Sequence, residues 1–348
     1  MFQDISLTDL FNAQKKGCHT TVDVRSPKEY EETTIPGSIN IPVFTNEERA
    51  EVGTLYKQKG QDAAKERGLE IFSQKLPAFI EAFKQIDTPI TVFCWRGGMR
   101  SKTAATVLDL MGIQVNRLKG GIRSYRKWVV HVLEQQECKP ELLVLNGYTG
   151  SGKTAILKKL AQNHYPVIDL EGMANHRGSI FGHIGLEPSN QKNFDSELVQ
   201  ALLRHQAQPY VFMEGESKRI GKVVIPDFLY KKKETSKQIF IRLPMEERVK
   251  LILNDYQPWT DPQKFIDAFR RIKKRIHTPI AKQIEEDLLS GNYAHATELL
   301  LEYYYDPRYE HSTDLYPDNK KIIINAKNLD VAYEKIIQTI EKPVVMKR

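Results

Sequence analysis

Short apolar runs rich in β-branched residues recur along the chain. Between them, apolar residues return every three or four positions, a rhythm of alternating strands and helices. TTVDVRS from Thr20 and PITVFC from Pro89 read as strands, the second ending on a cysteine. LPAFIEAFKQI and Ser101 to Met111, SKTAATVLDLM, carry apolar residues at helical spacing, and Gly112 closes the latter. This alternation predicts a small parallel α/β sheet. Near Pro140 the pattern restarts with LLVLNG, a continuous apolar strand running into a glycine loop, and a helix is predicted over Lys153 to Gln162. PVIDLEG, PYVFMEGES, KQIFIRLP and KIIINA repeat the strand signature and predict a second, larger parallel sheet. A polar stretch with a proline, Gln135 to Pro140, follows a predicted helix over Tyr125 to Glu134 and divides the chain into domains 1–137 and 138–348. No internal repeat is visible.

A length of 348 residues suits two domains, and 41% hydrophobic with 27% charged residues is ordinary globular composition. No run approaches the ~18 apolar residues a membrane span needs. The start, MFQDISLTDLF, lacks the basic then apolar order of a secretion signal, so no membrane role and a cytoplasmic location are expected. Three scattered cysteines, Cys18, Cys94 and Cys138, make neither a disulfide framework nor a metal knuckle and suit a reducing compartment. The net charge of +7 raises the expectation of a polyanionic partner without settling it.

CWRGGMRS, Cys94 to Ser101, sets a thiol at a strand's carboxyl end with two glycines and two arginines before a helix. Such a loop turns successive backbone N–H groups towards the sulfur, and the helix N-terminus adds partial positive charge, a setting that favours thiolate. Arg96 and Arg100 add full charges on which an anionic donor can dock. Cys18 and Cys138 have no such setting and read as plain cysteines.

GYTGSGKT, Gly147 to Thr154, satisfies the Walker A pattern and lies where the mechanism requires it, after a strand and opening a helix. Gly147, Gly150, Ser151 and Gly152 let the backbone wrap a phosphate, Lys153 reaches the outer phosphates, and the Thr154 hydroxyl suits Mg²⁺. A second acidic element is expected at a neighbouring strand end. VIDLEG offers Asp169 and Glu171, and VFMEGES offers Glu214 and Glu216, with Glu214 preferred for the metal or water position. His176 and Arg177, in the glycine-rich stretch Glu171 to Gly182, are expected to face ligand. A P-loop recognises any di- or triphosphate, so ATP is not obligatory.

DPQKFIDAFRRIKKRI, Asp261 to Ile276, predicts an amphipathic helix with Phe265, Phe269, Ile272 and Ile276 on one face and Arg270, Arg271, Lys273, Lys274 and Arg275 largely elsewhere. That basic face fits a nucleic-acid phosphate backbone and reads equally as a solvated charged face, as do Lys231, Lys232 and Lys233. The cluster Tyr303 to Tyr309 suits either base stacking or a core.

DVRSPKEY at Asp23 to Tyr30, IPGSINIP at Ile35 to Pro42, CWRGGMRS and the LKGGI turn at Leu118 to Ile122 resemble, in order, the signatures of the rhodanese sulfurtransferases. The resemblance implies that Cys94 carries a chalcogen as that family's cysteine carries a persulfide. Five residues separate Cys94 from Arg100, one more than the common short form, which suggests a different donor or acceptor from thiosulfate and cyanide. The whole chain, through ERAEVGTLYKQKG from Glu48, CWRGGMRS, GYTGSGKT, DLEGMANHRGSIFG and EYYYDPRY, is similar to the bacterial tRNA 2-selenouridine synthases. The expected fold is therefore α/β, with an N-terminal rhodanese-like parallel-sheet domain and a C-terminal P-loop NTPase/kinase-like one.

That similarity implies S-geranylation of wobble 2-thiouridine in the tRNA anticodon region by geranyl diphosphate, then selenium delivery by selenophosphate through a selenyl-sulfide on Cys94. The P-loop, with Mg²⁺, would hold the departing diphosphate; no tightly bound cofactor is expected. Two other readings fit the motifs: a persulfide sulfurtransferase fused to a nucleotide-dependent P-loop partner domain, and a non-enzymatic P-loop regulatory module.

Overall fold

In a computed structural model, which describes residues 1–135, 137–309 and 316–341, the chain forms two compact units. The first comprises Met1–Gln135 with Asp195–Val199, the second Gln136–Phe194 with Gln200–Arg348. The Asp195–Val199 piece is one that a contiguous division of the sequence does not include.

The first unit carries strands β1 (Gln3–Ile5), β2 (Thr20–Asp23), β3 (Ile39–Asn40), β4 (Ile90–Phe93) and β5 (Val115–Leu118) in the order β1-β5-β4-β2-β3. All neighbours are parallel. Its helices are α1 (Leu7–Lys15), α2 (Pro27–Glu32), α3 (Asn46–Lys59), α4 (Gln61–Lys84), α5 (Met99–Leu110) and α6 (Gly121–Gln135). The two long helices α3 and α4 meet at Gly60, whose φ of 91° lies in the left-handed region open to glycine. Val22, Phe83, Val92 and Leu108 are fully buried between strands and helices, as expected where a parallel sheet is covered on both faces.

The second sheet is again wholly parallel, in the order β12-β11-β6-β8-β7. Its strands are β6 (Glu141–Gly147), β7 (Val167–Ile168), β8 (Tyr210–Glu214), β11 (Lys237–Arg242) and β12 (Lys321–Asn325). A small antiparallel pair, β9 (Arg219–Ile220) with β10 (Val223–Val224), stands apart. Around it lie α7 (Lys153–Gln162), α8 (Leu170–Ala174), α9 (Gln191–His205), α10 (Asp227–Thr235) and α11 (Met245–Tyr256). A helical group follows, α12 (Pro262–Ile272), α13 (Thr278–Ser290), α14 (Tyr293–Leu300) and α15 (Asp306–Tyr309), and α16 (Leu329–Glu341) ends the described chain. Both units are the α/β architecture the alternation predicts. In each, the central strand, β4 or β6, ends in the loop with the candidate chemistry, as ligand sites in open parallel sheets do.

The predicted basic helix is shorter than its periodicity. It stops at Ile272, and Lys273–Arg275 form a 3₁₀ turn instead. No helix among the described residues is long and apolar enough to cross a membrane.

Candidate functional site

The cysteine loop is held in shape by the turn that precedes α6. The Ile122 and Arg123 amides donate to the carbonyls of Cys94 and Trp95 at 2.9 and 3.0 Å. Gly121 adopts φ +56°, and a Cβ there would stand 2.1 Å from the Cys94 carbonyl oxygen, so no side chain fits. Arg117 donates from Nη1 to the Gly97 carbonyl at 3.2 Å while its other nitrogens grip Asp4. The LKGGI turn is thus the mould for the loop.

Cys94 is 3% exposed and packs within the hydrophobic core of the first unit. Its Sγ lies 3.2 Å from the Ser101 hydroxyl, itself fully buried, so the sulfur's nearest polar partner is a group able to donate to a thiolate. Arg100 differs from expectation. It forms a two-pronged pair with Glu29 at 2.5 and 3.0 Å, so its charge is already matched rather than held for a donor. Arg96 stands exposed, and no ion pair involves it among the described residues.

In the second unit, Gly147, Gly150 and Gly152 all have positive φ, and each lies where a Cβ would strike a neighbour: Ser151 and Ile241, Ile252 and Arg248, and Leu329 respectively. Lys153 Nζ donates to the Gly147 carbonyl at 3.3 Å. The Thr154 hydroxyl donates to Glu171 Oε2 at 2.6 Å. Buried Arg248 braces the loop from α11: its Nε donates to the Thr149 carbonyl at 3.0 Å, and its other nitrogens grip Asp306 at 2.8 and 2.5 Å.

The carboxylate beside the P-loop threonine is Glu171, not the preferred Glu214. Glu214 is fully buried, accepts from the Leu170 amide at 2.8 Å, and is pushed far above the usual carboxylate range by burial and by Asp169 next to it. Among the described residues no hydrogen bond joins it to the threonine. Glu171, 8% exposed, is pushed up to about 8 by burial and by the charge of Glu216. Gly178 is the point where these meet: a Cβ there would be 2.3 Å from Glu171 and 2.9 Å from Glu216.

His176 packs against Gly182 and Gly221, and burial holds its imidazole below the usual range. Arg177 pairs with Asp255 at 3.3 Å, donates to the Ile184 carbonyl, and lies over the Tyr256 ring. The two residues expected to face ligand therefore order the segment that presents Gly178. Thr149 and Ser179 share an apolar cavity with Phe181, Tyr256, Phe265 and Leu300, and the Tyr256 and Ser179 hydroxyls stand 2.7 Å apart.

Of the five basic residues around α12, Arg270 and Lys273 are both engaged by Glu285, while Arg271, Lys274 and Arg275 face solvent. The Lys231–Lys233 spot is not a free patch, because Lys233 is 4% exposed and donates to the Glu216 carbonyl at 2.6 Å. Tyr304 and Tyr305 belong to the core, leaving Tyr303 at 45% exposure.

Residue-by-residue reading missed Glu29, Arg248 and Tyr256. Glu29 and Asp306 stand within DVRSPKEY and EYYYDPRY, so those strings held the signal. Arg248, within an ordinary amphipathic helix, carried none.

The tRNA 2-selenouridine synthase AAA domain family matches residues 140–339, and the rhodanese-like domain family matches residues 6–127. The chain is 33% identical to a tRNA 2-selenouridine synthase of Shewanella frigidimarina, across 83% of this chain and 87% of that one. It is 31% identical to the protein of the same name from Nitrosomonas eutropha, across 87% and 89%. A third relative of that name, from Marinobacter nauticus, is 33% identical across 83% and 87%.

Proposed function

Because the chain belongs to the tRNA 2-selenouridine synthase family, we propose that it replaces sulfur by selenium at wobble 2-thiouridine of tRNA, by way of an S-geranyl intermediate. Geranyl diphosphate and selenophosphate are the donors. On this reading the enzyme works in the cytoplasm and engages the anticodon region. One observation carries the choice of a prenyl donor over a nucleotide: Thr149, inside the phosphate loop, also lines the apolar, aromatic cavity with Phe181, Tyr256 and Phe265. A diphosphate head suits the glycine cradle, and the adjoining apolar crevice, of about 50 Å³, takes the first carbons of a hydrocarbon tail.

In the first step a bond forms between the base sulfur and the geranyl carbon, the bond from that carbon to the diphosphate oxygen breaks, and the base gives up its N3 proton to solvent. The leaving diphosphate carries the electron pair into the loop's N–H groups and Lys153. The Thr154 hydroxyl and the Glu171 carboxyl, 2.6 Å apart beside the phosphate loop, are the groups that would hold Mg²⁺. When bound between such groups and a diphosphate, the ion neutralises leaving-group charge.

In the second step the C2–Se bond forms, the C2–S bond breaks, and geranylthiol leaves with the electron pair and takes up a proton. The phosphoryl group passes to water as phosphate. Selenium enters and leaves at the selenide level, so the exchange is redox-neutral. Carriage as a selenyl-sulfide on Cys94 adds a two-electron oxidation on loading, accepted by a disulfide, which a thiol reverses on release. Ser101 steadies the sulfur and Arg96 meets the anionic donor. Cys94→Ala is expected to abolish selenation and spare geranylation, and Lys153→Ala to abolish geranylation, measured by mass analysis of tRNA nucleosides. Full selenation of a pre-geranylated tRNA by Cys94→Ala would sink the assignment.

A further inference from the structure

We propose that the groove between α3 and α4 seats the prenyl chain of the S-prenylated base while the chalcogen is exchanged at the cysteine loop, a proposal that rests on the two-step reading above. The groove lies in the first unit and holds about 600 Å³, within the usual range for small-molecule sites. Val43, Phe44, Val52, Ala64, Leu69 and Phe72 make its apolar wall. Its third side is the start of α5, where Met99, Arg100 and Thr103 face it. Met99 stands within the Cys94–Ser101 string, where α5 begins, so one short stretch of chain borders both the sulfur and the groove.

Leu69, Tyr56 and Met99 are 66%, 59% and 55% exposed, three large apolar side chains around one trough that the fold itself does not cover. α3 is built from the Glu48 string, to which the chemistry described so far assigns no task. Arg49 and Lys57 on the same helix border the groove with positive charge, as a site for a hydrocarbon attached to a polyanion requires. The Walker A loop, Gly147–Thr154, belongs to the second unit, so the prenyl group assigned to this groove is one that has already left its diphosphate. Carried on the base sulfur, it departs from C2 as geranylthiol while its chain stays in the groove.

The test uses the full-length enzyme, selenophosphate, and two tRNA substrates bearing S-geranyl- or S-methyl-2-thiouridine. Leu69→Glu, which sets a charge in the trough, is expected to lower the ratio of kcat/KM for S-geranyl over S-methyl substrate by about tenfold or more. Leu69→Gln, milder for folding, is expected to shift the ratio the same way. Equal losses on both substrates, or no change in the ratio, would overturn the groove assignment while leaving the two-step reading intact. Failure of the unaltered enzyme to selenate S-geranyl tRNA would remove that reading and the groove assignment together.

Discussion

Around Cys94 the decisive pair is Glu29 with Arg100. Their side chains are 19% and 18% exposed, so removing one partner leaves a largely desolvated charge and is expected to cost about 2–3 kcal/mol. Burial alone would raise the Glu29 carboxyl, and the hydrogen bonds and charge of Arg100, with the Ser26 amide and the charge of Arg49, together outweigh it and hold the group below the usual carboxylate range. A carboxylate depressed on folding stabilises the native state above its unfolded pKa and loses that contribution as pH falls through the folded value. The gap in urea midpoint between the unaltered protein and Glu29→Gln is therefore expected to be full at neutral pH and to close below about pH 4. A gap that stays constant across that range would show that the pair does not act electrostatically.

At the level of elements, both loops owe their shape to glycines pressed against a neighbouring backbone. Gly121 and Gly112 separate close approach from backbone strain. Both have positive φ, +56° and +77°, but a Cβ on Gly121 would meet the Cys94 carbonyl at 2.1 Å whereas one on Gly112 meets nothing within 4 Å. Gly112→Ala is expected to cost about 1 kcal/mol of strain. Gly121→Ala must also push the cysteine loop out of place, which is expected to lower selenation of S-geranyl tRNA by about 100-fold. Equal activity losses in the two variants, measured beside their urea midpoints, would reject the mould described for the LKGGI turn. In the second unit Arg248 plays the bracing part, tying the phosphate loop to α15 through Asp306.

Over the whole molecule the net charge of +7 matters by its placement. Glu285 takes up Arg270 and Lys273, so Arg271, Lys274 and Arg275 are the outward cations of that region. Replacing those three by alanine is expected to weaken tRNA binding and to reduce the slope of log affinity against log salt by about 2–3, while Arg270→Ala changes the slope little. Titration of tRNA at several salt concentrations measures both. An unchanged slope in the triple variant would mean that the region is only a solvated face.

The sequence by itself determined the two parallel α/β units and the places of the cysteine loop and the phosphate loop. Strand and helix periods are local, and the cysteine loop and the phosphate loop are each one run of consecutive residues, so each is legible as one short string. Tertiary structure alone decided the partners. Arg100 and Glu29 are 71 positions apart, and only the docking of α2 beside α5 sets one charge against the other. Glu171 and Glu214 look alike as acidic residues near strand ends, yet one reaches Thr154 and the other turns into the core to meet the Leu170 amide. The α3–α4 groove likewise needed three helices brought together, because an apolar residue at helical spacing reads the same whether its face is covered or left open.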